Sequence, residues 1–187
     1  MNFKLIETSR LILKGLTPED MTEIFERNHK PKIKEILGHR SEADYEKELH
    51  KYQNGYSSYN RSFMLFLLED KASGTIIGRC GLHNWNTDHW RAEIGYHMED
   101  ESFKQQGLMS EAVEAIIDYG FKMLNLNRIE ALVASYNEPS LKILERNGFV
   151  KEGVLRNHYY VNGVFEDSIV FSKLYEESTG EKRNDEK

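Results

Sequence analysis

One run of residues, 92–112, constrains the fold of this chain more than any other part. It reads AEIGYHMEDESFKQQGLMSEA, and the alternating apolar residues at 92–98 predict a β-strand. A polar loop follows at 99–106, and Gly107 then opens a segment with apolar residues at helical spacing. These apolar residues are Met109, Ala112, Val113, Ile116, Tyr119 and Met123. The run therefore predicts a strand, a loop and a long helix in succession.

The loop before this helix has the features of an anion site. A glycine at a helix start leaves backbone N–H groups unpaired, and the helix dipole favours negative charge there. Phosphate is the obvious ligand, although simple connection geometry would also explain the glycine. The segment lacks the Gly-Lys-Ser/Thr of a P-loop and the GxGxxG of a dinucleotide fold, so it belongs to neither class.

Size and charge limit the classes of protein to which the chain can belong. It has 187 residues, 39% of them apolar and 11% aromatic, which is enough for one core and one domain. The net charge of −6 argues against general binding to nucleic acid or anionic membranes, which requires a basic surface. An acidic surface suits a cationic amine substrate, but it also simply keeps a protein soluble.

Cysteine content and targeting signals give a further set of expectations. Cys80 is the single cysteine, which excludes an internal disulfide and a multi-cysteine zinc site. The first ten residues lack the apolar core of a signal sequence, and no apolar run approaches the length of a membrane span. The histidines and acidic residues show no metal-ligand spacing such as HExxH. We therefore expect a cytoplasmic protein without a metal and without a membrane partner.

The rest of the chain predicts an α/β domain with a mixed sheet. Residues 5–16 predict a first strand, and Thr17-Pro18-Glu19-Asp20 has the spacing of a helix start. Further helices are expected at 41–59 and 139–147, and further strands at 63–68, 75–82, 128–134, 149–155 and 168–174. Early strands that adjoin should be antiparallel, whereas those at 92 and 128 are joined by a helix and should be parallel. We predict one domain over 1–175 and a polar, disordered tail over 176–187.

Short motifs spread over residues 7–174 follow one another in a characteristic order. They are ETSRLILK at 7–14, AEIGY at 92–96, QGLMSEA at 106–112, NRIEA at 127–131, NEPS at 137–140, RNGF at 146–149, EGVLR at 152–156, NG at 162–163, and Asp167. In this order and spacing they resemble the GNAT superfamily of N-acetyltransferases, and within it the RimJ/RimL-like branch.

The resemblance implies a sheet whose parallel fourth and fifth strands splay apart and leave a V-shaped slot for acetyl-CoA. The pyrophosphate would meet backbone amides before the long helix, and the pantetheine arm would run along the fourth strand. Two residues depart from the superfamily loop Q/R-x-x-G-x-G/A. Lys104 takes the place of glutamine or arginine and lacks the planar guanidinium group of arginine, and Met109 takes the place of a small residue. The implied cofactor-binding residues are Ile94, Gly95, Tyr96, Lys104, Gln105, Gln106, Gly107, Leu108, Met109, Ser110, Asn137 and Ser140.

Transfer of an acetyl group to an amine requires help with the leaving thiolate. Many GNAT enzymes place a tyrosine acid about two turns beyond the asparagine, and this chain has Leu144 there. The RimJ/RimL-like branch instead places a serine three residues after the asparagine, which is Ser140. Ser140 is therefore the candidate acid, with a helix-capping role as its alternative. Asn137 resembles the residue that bonds the pantetheine arm, and it could equally be an ordinary helix cap.

The attacking amine must be neutral, but an α-amine has a pKa of ~8 and a lysine-type amine a pKa of ~10.4. A group on the enzyme must therefore take a proton from the amine. Glu93 lies on the strand that should line the slot, so it is the candidate base, although an ion pair with Arg91 or Lys104 is the alternative. Proton relay is also open to histidines, each of which taken singly is more often a surface or packing residue. These histidines are His83, His97 and His158.

The residues that line the acceptor site, which we call the acceptor wall, are predicted from the same resemblance and from the positions of aromatic residues. Tyr159, Tyr160 and Asp167 occupy positions where the branch closes over the acceptor. Trp85 and Trp90 flank a polar loop, and they could hold a substrate arm or pack in the core.

Three functions stay open at this point. The chain could acetylate a protein N-terminal amine, as ribosomal-protein members of the branch do, or a small amine such as a polyamine, amino acid or aminoglycoside. It could also be a CoA-binding module without turnover. As partners we expect acetyl-CoA and a primary amine but no nucleic acid, in a monomer or homodimer.

Overall fold

The computed structural model describes residues 3–56 and 61–182. Its strands are β1 (Lys4–Glu7), β2 (Leu11–Leu16), β3 (Ser62–Asp70), β4 (Ile76–Asn86), β5 (Arg91–Met98), β6 (Arg128–Val133), β7 (Val150–Val161) and β8 (Val164–Leu174). Its α-helices are α1 (Pro18–Arg27), α2 (Lys30–Leu37), α3 (Glu42–Asn54), α4 (Leu108–Lys122), α5 (Glu138–Arg146) and α6 (Tyr175–Thr179), and a 3-10 turn covers Glu101–Phe103.

The strands form one mixed sheet in the order β1-β2-β3-β4-β5-β6-β8-β7. Strands β1 to β5 are consecutive antiparallel neighbours, which confirms the antiparallel pairing expected of the early strands, although β1 and β2 were expected as one strand. The β1–β2, β3–β4 and β4–β5 connections are too short for a crossover helix, whereas α1, α2 and α3 connect β2 to β3. Strands β5 and β6 are parallel, also as predicted, because α4 connects them. The predicted mixed α/β fold is therefore confirmed.

The parallel pair separates soon after it begins. Cα pairing between β5 and β6 covers three positions and ends at Glu93 opposite Glu130. Beyond that point β5 continues to Met98 and β6 to Val133 without pairing to one another. This gap corresponds to the V-shaped slot that the resemblance to the GNAT superfamily implies.

Both faces of the sheet are covered by helices. The apolar side of α4 packs on one face together with Phe66 and Leu68 of β3, whereas Leu67 belongs to the cluster formed with α1, α2 and α3. This burial on both faces is what the continuous apolar run at 63–68 predicts. Met123 is a correction to the predicted stripe of α4, because it follows the last helical residue and is 64% exposed.

The start of α1 confirms its sequence signature. The Thr17 hydroxyl accepts from the Asp20 backbone N–H, and the Asp20 carboxylate accepts from the Thr17 N–H, which completes a capping box. Ser41 and Asp44 form the same arrangement at the start of α3.

Several predicted boundaries are wrong. The strand expected at 5–16 is two strands, because a turn closed by the Thr8 N–H and the Leu11 carbonyl reverses the chain. Helix α2 was not predicted, and α3 ends at Asn54 rather than 59, with residues 57–59 lying outside the described part of the chain.

Element boundaries after residue 75 also differ from those predicted. Strand β4 continues to Asn86, into the predicted loop, and β7 and β8 extend beyond the predicted 149–155 and 168–174 to form one long hairpin. The short helix α6 crosses the predicted domain boundary at 175, so the first tail residues are helical rather than disordered. The domain limits themselves stay a prediction. No α-helix among the described residues has the length and apolar character needed to span a bilayer.

Candidate active site

A cavity of about 700 Å³ lies at the end of β5, in the part of that strand that no longer pairs with β6. It is lined by the end of β5, by the loop before α4, by the first residues of α4, and by α5 from its N-cap Asn137 to its last residue Arg146. Predicted residues that line it are Tyr96, Lys104, Gln105, Gly107, Leu108, Met109, Ser110, Asn137 and Ser140. We call this cavity the slot. The structure thus brings together most of the predicted cofactor-binding set.

The loop before α4 has the backbone geometry that an anion requires. Gly107 is the N-cap and has a φ of +78°, a left-handed conformation that glycine adopts without strain. No side chain caps the helix, so the N–H groups of its first turn have no partner within the helix. They therefore remain available to phosphate oxygens at the positive end of the helix dipole.

A clamp from the turn between β1 and β2 holds this loop. The Arg10 Nη1 donates to the Gln106 carbonyl at 2.9 Å, and its Nε donates to Glu111 Oε2 at 2.8 Å. The Thr8 hydroxyl and the Arg10 backbone N–H both donate to Glu111 Oε1, at 2.6 and 2.7 Å. Burial raises the pKa of Glu111, but these hydrogen bonds outweigh burial and hold the pKa below its ordinary value. The clamp fixes the loop and neutralises a carboxylate next to the anion site.

Cations lie at the slot even though the whole chain is acidic. Lys104, Lys142 and Arg146 line the slot, and Arg146 has no ion-pair partner among the described residues. Lys104 pairs with Glu101, and Lys142 lies 3.8 Å from Glu138. Lys142, Arg146 and Arg10 were missed in the sequence, because nothing in their spacing distinguishes them from ordinary surface cations.

Ser140 and Asn137 lie together at the start of α5. Asn137 Oδ1 accepts from the Ser140 backbone N–H at 3.3 Å, so Asn137 is the helix cap. The Tyr96 hydroxyl donates to the Ser140 carbonyl at 3.4 Å, and burial raises the pKa of Tyr96 to about 12. The Ser140 hydroxyl is not needed for the cap and faces no described hydrogen-bond partner, which leaves it available within the slot.

Three residues of the predicted cofactor set lie elsewhere. Ile94 is buried in the core beneath the sheet. Gly95 lines a second cavity rather than the slot, and the Gln106 side chain donates to the Ser102 carbonyl. Gln106 contributes through its backbone, by accepting from Arg10.

The second cavity, of about 610 Å³, adjoins the slot at Tyr96 and His97. Its walls come from α3 and from β3, β4 and β5, and they include Phe63, Leu65, Leu82 and Tyr56. We call it the acceptor cavity. Its position beside the slot leaves room for a second reactant on the other side of β5.

Charge in the acceptor cavity is balanced by pairing. Glu48 on α3 is buried, and its carboxylate lies 3.0 Å from Lys51 Nζ and 3.5 Å from Arg79 Nη1. Arg79 also lies 3.3 Å from Glu99. The sequence did not indicate this wall, because a buried glutamate in a largely polar helix resembles any exposed one.

Glu93 lies at the point where β5 and β6 separate. It is buried, and its carboxylate lies 3.2 Å from His83 Nε2 and accepts from Asn84 Nδ2 at 2.9 Å. Burial alone would raise the pKa of Glu93, but the bonds from His83 and Asn84 outweigh it and lower the pKa. The alternative ion pairs considered for Glu93 are not formed, because Arg91 pairs with Glu130 and Lys104 with Glu101.

The predicted acceptor-wall residues are not among those that line the two cavities. Trp85 is partly buried against the core, and Tyr160 packs on Phe165 near the end of the β7–β8 hairpin. Asp167 accepts from the Asn157 backbone N–H at 2.8 Å and so stabilises a bulge in β7. Tyr159 lies near Glu93, whose charge adds to the burial that raises the pKa of Tyr159. Their role at the acceptor stays a prediction.

Comparison with known proteins agrees with this geometry. The family model described as an acetyltransferase (GNAT) domain matches residues 10–150. The chain belongs to the GNAT acetyltransferase family. GNAT acetyltransferases use acetyl-CoA, and this chain is accordingly an acetyl-CoA-dependent acetyltransferase.

Relatives described as an uncharacterized, a spermidine and a ribosomal-protein acetyltransferase resemble this GNAT enzyme to similar degrees. The uncharacterized N-acetyltransferase YoaA of Bacillus subtilis is 34% identical over 91% of this chain and 96% of its own length. A spermidine N(1)-acetyltransferase of Vibrio cholerae is 30% identical over 85% of this chain and 90% of its own. The crystal structure of a ribosomal-protein-S5-alanine acetyltransferase from Vibrio fischeri superposes with a TM-score of 0.65 at 29% identity, covering 92% and 97% of the two chains.

The slot of this GNAT enzyme suits acetyl-CoA on chemical grounds. Its uncapped helix start and left-handed Gly107 provide amides for phosphate, and its cations supply local positive charge. Within residues 3–56 and 61–182, no three His, Cys, Asp or Glu residues cluster so that they could hold a metal ion.

Proposed function

We propose that this enzyme belongs to the RimJ/RimL-like branch and acetylates the α-amine of a protein or peptide N-terminus, acting as a monomer or homodimer. The ordered motifs from residue 7 to 174 support the branch. Support for the acceptor comes from the likeness to a protein described as a ribosomal-protein-S5-alanine acetyltransferase.

The observation that carries the choice of acceptor is the charge of the acceptor cavity. Among the described residues that line it, the carboxylate is that of Glu48, which is buried and already engaged by Lys51 and Arg79. A polyamine would bring several positive charges into a cavity whose described lining offers no unpaired carboxylate. A peptide N-terminus brings one amine followed by neutral backbone, which fits apolar walls such as Phe63 and Leu65.

In this proposal, residues in and near the slot bind acetyl-CoA and assist the transfer. Acetyl-CoA supplies the activated acetyl thioester. The amides at Gly107 and the first turn of α4 bind its phosphates, and Asn137 and the end of β5 hold its pantetheine arm. Ser140 donates a hydrogen bond to the sulfur, which stabilises the thiolate that leaves. Glu93 assists the removal of a proton from the acceptor amine.

Spermidine is the second candidate acceptor. It is favoured by the 30% identity to a spermidine N(1)-acetyltransferase over most of both chains. The net charge of −6 would also attract a polycation to the surface.

A competition experiment separates the two acceptors. Initial rates with acetyl-CoA are measured for alanyl- and seryl-tetrapeptides, for the same peptides with blocked N-termini, and for spermidine. We expect kcat/KM for a free peptide to exceed that for spermidine by at least about tenfold, and the blocked peptides to be inert. A higher kcat/KM for spermidine would overturn the proposed acceptor.

A charge reversal provides an independent check on the same cavity. Lys51→Glu leaves a surplus of negative charge beside Glu48, so it should shift the ratio of kcat/KM values toward spermidine. Lys47→Glu is the matched control, because Lys47 is an exposed lysine on α3 that does not line the cavity. Equal ratios in both variants would contradict the role assigned to the cavity charges.

A further inference from the structure

His83 and Glu93 form a pair across two neighbouring strands. They are directly opposite one another in the register of β4 and β5, so both side chains lie on the same face of the sheet. The His83 Nε2 lies 3.2 Å from Glu93 Oε1, and Asn84 Nδ2 donates to the other carboxylate oxygen at 2.9 Å. The carboxylate is therefore held in place by two neighbours, and the imidazole is held by the carboxylate.

The two members of this pair differ in access to the acceptor. The Glu93 side chain is only 11% exposed and does not line the acceptor cavity. The His83 side chain is 45% exposed and does line it. An amine in the cavity consequently meets the imidazole before it can meet the carboxylate.

A glycine on β5 makes room for the ring. A Cβ atom added at Gly95 would lie 2.6 Å from His83 Cε1 and 3.2 Å from Nδ1, so any side chain there would displace the imidazole. The ring thereby lies against β5 just beyond the point where β5 parts from β6. With Nε2 directed at the carboxylate, Nδ1 is the nitrogen left to accept a proton.

We propose that His83 is the catalytic base that takes the proton from the acceptor amine, and that Glu93 is a positioning residue that acts through it. This inference rests on the proposed function, because it requires an amine in the acceptor cavity. It assigns the proton to the exposed imidazole rather than to the buried carboxylate.

The proton and electron balance of the step is as follows. One N–H bond of the ammonium group breaks, its electron pair stays on nitrogen, and the proton passes to His83 Nδ1. The imidazolium that forms is stabilised by the Glu93 carboxylate on Nε2. The neutral nitrogen then bonds to the acetyl carbon as the carbon–sulfur bond breaks. A second amine proton ends on the thiol, and His83 returns its proton to water.

The charged and titratable groups around the pair are known from the structure. Arg61 Nη1 lies 3.4 Å from Asn84 Oδ1 on the β4 side, and His158 and Tyr159 of β7 act electrostatically with Glu93. The acceptor cavity adds groups that any pH profile also contains, namely Glu48, His50, Lys51, Tyr56, Arg79, Tyr96 and His97.

The pH dependence of His83→Gln tests the proposal with an alanyl-tetrapeptide as the acceptor. At pH 7 only about a tenth of an α-amine is neutral, so the variant should lose at least about tenfold in kcat/KM. Near pH 9.5 the amine is already neutral, and the variant should approach wild type. A loss that is the same at every pH indicates a structural role and would overturn the proposal, as would no loss at all.

Two controls accompany this measurement. His89→Gln changes an exposed histidine on the turn between β4 and β5 that lines neither cavity, so its profile should follow wild type. Gly95→Ala keeps both members of the pair but displaces the ring, so it should reproduce the loss of His83→Gln at pH 7. Wild-type rates in Gly95→Ala would contradict the assigned position of the ring.

A measurement on the unmutated enzyme needs no acceptor. Nitrogen-15 NMR of the imidazoles at pH 8.5, with His83 identified from the spectrum of His83→Gln, should show His83 protonated on Nε2 and unprotonated on Nδ1. A proton on Nδ1 would overturn the proposal. If wild type acetylates spermidine but no peptide, the proposed acceptor is wrong, whereas the tautomer still decides the role of His83.

Discussion

Ser140 lines the slot with a hydroxyl that its own helix does not need, because Asn137 provides the cap. A hydrogen bond to a leaving sulfur strengthens as negative charge develops, so it stabilises the transition state more than the bound thioester. We expect Ser140→Ala to lower kcat about 100-fold while the KM for acetyl-CoA changes little.

Steady-state kinetics with chemistry as the slow step check this expectation. Ser73→Ala is the control, because Ser73 lies in the turn before β4 and lines neither cavity. An equal kcat for Ser140→Ala and wild type would return Ser140 to a purely structural position.

Buried His39 makes the free energy of unfolding depend on pH. It is buried after α2, neither ring nitrogen has a hydrogen-bond partner among the described residues, and burial together with the nearby Arg79 charge lowers its pKa to about 4. The unfolded chain, with a histidine pKa of ~6.5, therefore binds more protons between pH 4 and 6.5. The contribution of neutral His39 to the free energy of unfolding is fully present above pH 6.5 and is lost as the pH falls towards 4.

We expect His39→Phe to remove this part of the acid sensitivity. The difference in unfolding free energy between variant and wild type should change by up to about 3 kcal/mol from pH 7 to pH 4, in favour of the variant at low pH. Urea unfolding at several pH values measures it, and a difference independent of pH would contradict the assignment.

At the scale of elements, the loop before α4 is preorganised by a distant part of the chain. Arg10 and Thr8, from the turn between β1 and β2, bind Glu111 and the Gln106 carbonyl. The loop is therefore fixed before a ligand arrives, which lowers the entropic cost of binding. The ETSR motif at 7–10 therefore fixes the loop before α4, a role that the sequence alone did not indicate.

Gly107→Glu tests the anion site directly. A carboxylate at the helix start would repel phosphate, and the left-handed φ of +78° would strain any side chain. We expect CoA binding to weaken at least tenfold, about 1.4 kcal/mol, by isothermal titration calorimetry. Gly74→Glu is a matched control, because Gly74 also has a positive φ and a Cβ there would meet no atom within 4 Å. Equal CoA affinity in a folded Gly107→Glu would remove the assignment.

Local patterns in the sequence predicted some elements well and others poorly. The strand at 92–98 and α4 were predictable because alternation and helical spacing both reflect burial against one core. Helix α2 was missed because its N-cap, His29, makes no capping hydrogen bond and the helix has only two buried residues. Long strands such as β7 were underestimated because their outer ends are exposed and carry no alternation.

At the scale of the whole molecule, the slot was predictable and the acceptor cavity was not. A parallel pair joined by a helix follows from chain order, and ordered motifs placed the slot residues along it. Which helix covers the opposite side of β5 depends on long-range packing. The sequence therefore did not indicate that α3 and Glu48 line this cavity, and the acceptor role expected of Tyr159, Tyr160 and Asp167 stays a prediction.

The two cavities share Tyr96 and His97 and otherwise have separate walls, and this has a kinetic consequence. With acetyl-CoA in the slot and the amine in the acceptor cavity, as proposed, donor and acceptor occupy the enzyme simultaneously. A covalent acetyl-enzyme on cysteine is disfavoured, because Cys80 is fully buried and burial raises the pKa of its thiol. We therefore expect a sequential mechanism, with double-reciprocal lines that intersect when both substrates are varied. Parallel lines, the signature of ping-pong turnover, would contradict direct transfer between the cavities.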